Sequence, residues 1–326
     1  MAKFTTAAIL TAAALGVVTA GAVLAQSSDP YPSKPIRLIV PFPPGASTDL
    51  AARYIEPKLR DALKQTVIVE NRPGAAGILG ATFASKAAPD GYTVLVASSS
   101  MIAVPQLQKA PAYDIVRDFA PITVMFSHPF VLVANADLPA KNAAELVALA
   151  KSKPGVLNFA TLGGYNDLMC EMFKKAAGID IQLVRYRGAA ENMIGVIRGD
   201  SHLTFTGYSV VQPQLAAGKV RIIGAASLQR SVVTPQLPTL AESGLPGFEL
   251  LNVVGLLAPA GTPKPIIDRL NAEVGRIMST DEAKKFLTTR GNDPVSDTSV
   301  KFYQDYIKRD SERFRRIVEE IGYQKI

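Results

Sequence analysis

The sequence predicts an α/β protein of two domains, each a mainly parallel sheet flanked by helices. Three observations carry the prediction. Short β-rich runs alternate with amphipathic helical patterns almost throughout the chain. The alternation comes as two sets, residues 36–100 and 130–227, and the chain then closes with helical patterns that have no matching new strands and pack back on the first domain. At 326 residues and 48% hydrophobic composition, the chain is long enough to bury two modest cores.

The elements follow in order. Residues 1–25 hold a single charge, Lys3, before an apolar Ala/Leu/Val stretch, and Val23 and Ala25 occupy the positions a signal peptidase reads ahead of Gln26. This is read as a cleaved secretory signal, with a membrane anchor as the alternative; a lipoprotein anchor would need a cysteine at the cleavage point, and the only one is Cys170. "IRLIVPF" is the first strand, Ala51, Ile55, Leu59 and Leu63 form one apolar helix face, and "TVIVEN" is the next strand. "GAAGILGATFASKAAPDGY" makes a helix closed by Pro89-Asp90-Gly91, and "TVLVASSS" a third strand. In the second set, "FVLVAN" is a strand and Asn142 and Glu145 have capping-box spacing for the helix "AAELVALAKS", which Lys153-Pro154-Gly155 stops. "VLNFAT", a helix from about Asp167 to Ala177, "IQLVRY", a helix through Val196, "HLTFTG" and "VRIIGAAS" complete it. "GLLAPAGTPKPIIDRLNAEVGRIM" and the C-terminal "KFYQDYIKRDSERFRRIVEEIG" are read as the closing helices. The predicted boundaries are 1–25 for the signal, 26–133 with 252–326 for domain 1, and 134–251 for domain 2, with a ligand cleft between the domains.

Composition excludes several functions. The formal charge of +7 falls by one when Lys3 is removed, and the basic residues are scattered with no run that would track nucleic acid. One cysteine rules out an internal disulfide, and Cys170, beside Met169 and Met172 in a helical pattern, reads as a buried inert thiol. His128 and His202 have no metal-ligand spacing, and no serine-hydrolase motif occurs. "PFPPGASTD" lacks the lysine of a phosphate loop and "GAAGILGA" the pattern of a dinucleotide site, so nucleotide binding is not expected.

The strand-to-helix turn from Pro41 to Asp49 is the strongest candidate site. Ligands of open parallel sheets bind outside the carboxyl ends of strands. Pro43 and Pro44 stiffen the approach, Gly45 allows positive φ, and Ser47 or Thr48 can cap the helix. The free N–H groups and dipole at the helix start then favour a carboxylate or similar anion. Asp49 could serve as an acid or base, but a carboxylate in the first turn of a helix is explained by the dipole.

Six segments in this order, "YPSKPIRLIVPFPPGASTDLAAR", "VENRPGAAGILGA", "PDGYTVLVASS", "YDIVRDFAPIT", "LPAKNAAELVALAKSKPG" and "LPTLAESGLPGFE", resemble the periplasmic solute receptors of tripartite tricarboxylate transporters, often called Bug receptors. The resemblance covers nearly the whole mature chain. It implies a type II-like periplasmic binding protein of Venus-flytrap form, a monomer that captures an organic carboxylate and delivers it to membrane permease subunits, with no cofactor and no metal. Carried over, the ligand site comprises Gly45, Ala46, Ser47, Thr48 and Asp49; Ser98, Ser99, Ser100 and Met101; Gly163, Gly164, Tyr165 and Asn166, with Asp167 closing that loop; Tyr186, Arg187, Gly188 and Ala189; and Thr206 with Tyr208. The family usually has two glycines in place of Gly45-Ala46, a histidine near Met101, a Ser-His ending near Asn166-Asp167, and an aspartate near Thr206. Met101 and Tyr165 would add apolar and aromatic contact and favour a longer or aromatic carboxylate over citrate, unless both merely pack the hinge side of the cleft. Two rival readings are a ligand sensor for a membrane kinase and an enzyme acting on carboxylates; the second would need an acid–base pair or nucleophile that the sequence does not offer.

Overall fold

A computed structural model describes residues 31–325, so the predicted signal segment lies outside the described residues. The first set of elements is β1 (Ile36–Val40), α1 (Ser47–Leu63), β2 (Val67–Asn71), α2 (Ile78–Ser85) and β3 (Thr93–Ser98), followed by the short α3 (Ser100–Ala103). β1 pairs in parallel with β2 on one side and β3 on the other. The expected face of α1, Ala51, Ile55, Leu59 and Leu63, is buried against this sheet and joined there by Leu270 and Val274 from near the C-terminal end of the chain.

β4 (Phe119–Asn135) is a single 17-residue strand that serves both halves of the molecule. Its first part pairs antiparallel with β9 (Leu251–Pro259), and from Phe130 onward it pairs with β7 (Leu203–Gly207) and β8 (Val220–Ala225). The second half repeats the first: β5 (Asn158–Thr161), α5 (Tyr165–Ala177), β6 (Gln182–Arg185), α6 (Ala189–Arg198) and β7, with β5 parallel to both β6 and β7. α4 (Ala143–Ser152) precedes this unit, and α7 (Tyr208–Ala216) follows it. The strand order is β2-β1-β3-β9-β4-β7-β5-β6, with β8 and β10 (Asp293–Pro294) also pairing with β4. Parallel pairing therefore holds for the two outer triplets, while the crossing strands β4 and β9 run antiparallel and make the sheet mixed. Two neighbouring strands that carry one chain out to the second half and back must run in opposite directions.

One reading is corrected here. "LNVVGLLAP" opens the closing segment as strand β9, buried from Val253 to Pro259 between β3 and β4, and not as part of a helix. Three helices follow, α8 (Lys264–Met278), α9 (Asp281–Thr288) and α10 (Val300–Glu320). α10 buries Tyr303, Tyr306, Ile307, Phe314 and Val318 along one face together with Asp310, which Arg309 and Arg313 pair, and the other charges of "RDSERFRR" lie on the rest of its surface. The Asn142–Glu145 cap of α4 forms as expected, with the Asn142 side chain accepting from Glu145 N at 2.9 Å.

Candidate functional site

Gly45 stands at φ +89°, a backbone region that residues with a Cβ rarely enter, and it turns the chain out of β1 into α1. The cap differs from the expected one. Ala46 is the N-cap residue, neither Ser47 nor Thr48 caps the helix, and the Thr48 hydroxyl is buried without a partner. The turn is closed instead by Asp49, whose carboxylate accepts from Gly45 N at 2.9 Å, from Arg53 Nε at 3.0 Å and from Asn71 Nδ2 at 2.9 Å. Burial opposes ionisation of Asp49, but the Arg53 guanidinium and the Gly45 and Asn71 donors outweigh it and hold the carboxyl below its usual range. Asp49 is a turn-holding residue whose oxygens are taken by the protein.

The second half contains the same device. Gly163 at φ +81° and Gly164 at φ +56° lead into α5, and Asp167, third in that helix as Asp49 is in α1, is buried. Asp167 accepts from Thr161 Oγ1 and from Arg185 Nε at 2.8 Å, as Asp49 accepts from Asn71 at the end of the neighbouring strand. Both glycine turns have open space where a Cβ would stand. Each half therefore presents a glycine-opened helix start with its N–H groups available.

A cavity of about 500 Å³ lies between the halves, a volume in the range of small-ligand sites. From the first half it is walled by Gly45, Ala46, Ser47 and Leu50, and from the second by Gly207, Ser209, Val210 and Gln212 at the start of α7. Phe126 and His128, alternate residues of β4, form its floor, and Phe286, Thr289, Arg290 and Asn292 a further wall. Burial pushes the His128 imidazole down to about 4 against a weaker opposing pull from Asn292, so the ring is neutral at ordinary pH. A second cavity, about 560 Å³, lies against Ser127, Glu249, Lys301 and Arg309. That one is lined by the connection from residue 295 into the start of the C-terminal helix α10 and by neither the α1 nor the α7 start, so the cavity between those two helix starts from opposite halves is the better candidate.

The remaining predicted residues divide into two groups. Thr206 is the last residue but one of β7 and Tyr208 begins α7, beside the cavity residues Gly207 and Ser209. Ser100, partly exposed, and Asn166 with Gly163 and Gly164 sit at the starts of α3 and α5 outside this cavity, and Ser98 is bonded to the Ser100 hydroxyl at 2.9 Å. Tyr186 bonds Ser201 at 3.0 Å and packs under Gly195 of α6, while Arg187, Gly188 and Ala189 form the partly open turn into α6. Ser99, Met101 and Tyr165 lie inside the protein. Ser99 is fully buried and bonds both Tyr306 of α10 and Val253 N. Met101 is fully buried with its methyl in the space a side chain on Gly77 would fill. Tyr165 stacks edge-on between Phe130 and Phe314 of α10, and its hydroxyl is buried without a partner. The cause is common: α10 closes that face of the sheet, and Met101 and Tyr165 pack the seam beneath it.

The wall from Phe286 to Asn292 was missed by sequence reasoning. Its signal was present in Thr280-Asp281-Glu282, a helix start in which Thr280 caps Ala283 N, and in Gly291, which ends the helix at φ +75°.

Among the described residues no group of acidic, histidine or cysteine side chains could hold a metal ion, and no helix is long and apolar enough to cross a membrane. A family profile described as "Tripartite tricarboxylate transporter family receptor" matches residues 51–323. BugT of Bordetella pertussis is 33% identical over 310 residues, covering 94% of this chain and 95% of BugT. A protein of R. palustris solved with adipate superposes with a TM-score of 0.77 at 29% identity, over 90% of this chain and 98% of that one. MatC from Rhodopseudomonas palustris, solved with bound malate, gives a TM-score of 0.75 at 29% identity, over 88% of this chain and all of that one.

Proposed function

The chain belongs to the tripartite tricarboxylate transporter receptor family, and from that premise we propose that it captures an organic carboxylate between its two halves in the periplasm and hands it to membrane permease subunits. The observation that carries this reading is the cavity bounded by two helix starts from opposite halves, α1 at Gly45–Ser47 and α7 at Gly207–Ser209. Both bring the first turn of a helix, with the positive end of its dipole, to an anion. Adipate and malate in the related structures are carboxylates of the expected kind. Binding without turnover fits the same site, because Asp49, the acid nearest the turn, has its oxygens committed to Gly45, Arg53 and Asn71. In this reading the halves are 26–133 with 252–326 and 134–251, and the change of partners along β4 at Phe130 supports a hinge there.

The test is a thermal-shift screen of dicarboxylates, citrate and aromatic carboxylates with product analysis. At least one carboxylate should stabilise the protein and be recovered unchanged, since a ligand at a hundred times its dissociation constant adds about 2.7 kcal/mol to the folded state. Stabilisation by sugars or amines alone would overturn the carboxylate reading, and conversion of the ligand would overturn the receptor reading.

A further inference from the structure

α10 is roughly 30 Å long and reaches from one half of the molecule to the other. Its first turns pack on the first half, where the Tyr306 hydroxyl bonds Ser99 at 3.1 Å and Tyr303 lies against Gly255 of β9. Its last turns pack on α5 of the second half. There Phe314 meets Tyr165 edge-on at 5.7 Å, Ile317 faces Met172 across a gap of about 280 Å³, and Glu320 pairs with Lys175.

The helix and the ligand cavity lie on opposite faces of β4. Phe126 and His128 line the cavity, whereas Ser127 between them lines the second cavity together with Tyr306 and Arg309 of α10. A rotation about β4 that narrows one face widens the other. Leu50 and Val210, from the two facing walls of the ligand cavity, are 39% and 52% exposed, so the halves have room to approach. The α10–α5 contacts therefore lie on the side that closure pulls apart. Distance from the proposed hinge decides which of them yields. Tyr165 touches Phe130, where β4 changes partners, and Arg313 donates to the carbonyl of Glu249, just ahead of β9, at 3.1 Å. Glu320 lies about 9 Å farther along the helix than Phe314, and the gap beside Ile317 leaves the seam loosely packed on the way.

We propose that the last turns of α10 form a strap across the back of the hinge, whose grip on α5 through the Lys175–Glu320 pair holds the cleft open and is released when the halves close on a ligand. The inference rests on the receptor reading above. Apparent affinity is the affinity of the closed form scaled by the fraction of molecules that reach it, so a weaker strap tightens binding without touching the ligand.

Calorimetry with the tightest binder among succinate, adipate, malate and citrate tests it. Glu320→Lys sets two cations against each other and should bind that acid about two- to tenfold more tightly than wild type, the range of an exposed ion pair made repulsive. Lys175→Glu should act in the same direction, and the two substitutions combined restore the pair with its charges exchanged and should return affinity to the wild-type value. Both side chains are nearly half exposed, so a retained melting transition confirms that the variants are folded. Hydrogen exchange supplies a second readout: amides of residues 317–323 should exchange faster with the acid bound, the reverse of the usual protection by a ligand. Unchanged or weaker affinity in Glu320→Lys, or slower exchange at 317–323 on binding, overturns the strap. A wild-type protein that binds none of these acids overturns the receptor reading itself, and the strap with it.

Discussion

At Gly45 the backbone angle matters more than the space around it. A Cβ there would meet nothing within 4 Å, so a substitution acts through φ +89° and through the N–H that Asp49 accepts from. Gly45→Val forces a β-branched residue out of that region and should weaken carboxylate binding at least about a hundredfold. Ser47→Ala removes one hydroxyl and should cost about tenfold or less. Calorimetry on both folded variants checks the pair, and wild-type affinity in Gly45→Val would mean that the turn is a structural cap only. The turn was legible because proline and glycine punctuate a strand end so strongly. The role of Asp49 was half legible: helix position accounts for a carboxylate there, but its partner Asn71 comes from the next strand and has no local signature.

The α5–α10 seam gives a sharper contrast between two aromatic residues. Tyr165 has a buried hydroxyl with no partner, so Tyr165→Phe removes an unsatisfied group and should leave stability within about 1 kcal/mol of wild type or raise it. Phe314→Ala, on the other side of the same edge-on contact, should cost about 3–5 kcal/mol through the cavity it leaves. Urea unfolding measures both, and a tenfold loss of carboxylate affinity in Tyr165→Phe would return that residue to the ligand. The amphipathic face of α1 and both parallel triplets could be read from the sequence, because period and turn residues agree there. β9 could not, since a short, wholly apolar run such as Val253-Val254-Gly255-Leu256-Leu257 has no alternation to separate a strand enclosed on both faces from a buried helix. The burial of Met101 and Tyr165 could not be read for a related reason: what covers them is α10, more than a hundred residues away in the chain.

The whole molecule carries its histidines neutral, and this sets a pH dependence. The His128 pKa falls from 6.5 unfolded to about 4 folded, and burial lowers His202 as well. As pH drops, the unfolded chain takes these protons first, so this stability is fully present above pH 6.5 and is lost as pH falls toward 4. The loss from His128 should be of order 2–3 kcal/mol. Denaturant titrations across that window should show a flatter profile for His128→Gln, and an equally steep decline would refute the assignment. Asp49, held below 3.8, contributes at still lower pH and does not confuse the window. The strand order has a consequence for how the chain is assembled. β1, β2 and β3 are complete within the first hundred residues, yet the partner of β3 on its other edge is β9, residues 251–259. A chain that leaves the ribosome N-terminus first therefore carries an unpaired, wholly buried-type strand through the making of the entire second half. The late arrival of β9 makes long-range pairing the slow step of folding and leaves the β3 edge as the place where the newly made protein is most exposed to aggregation.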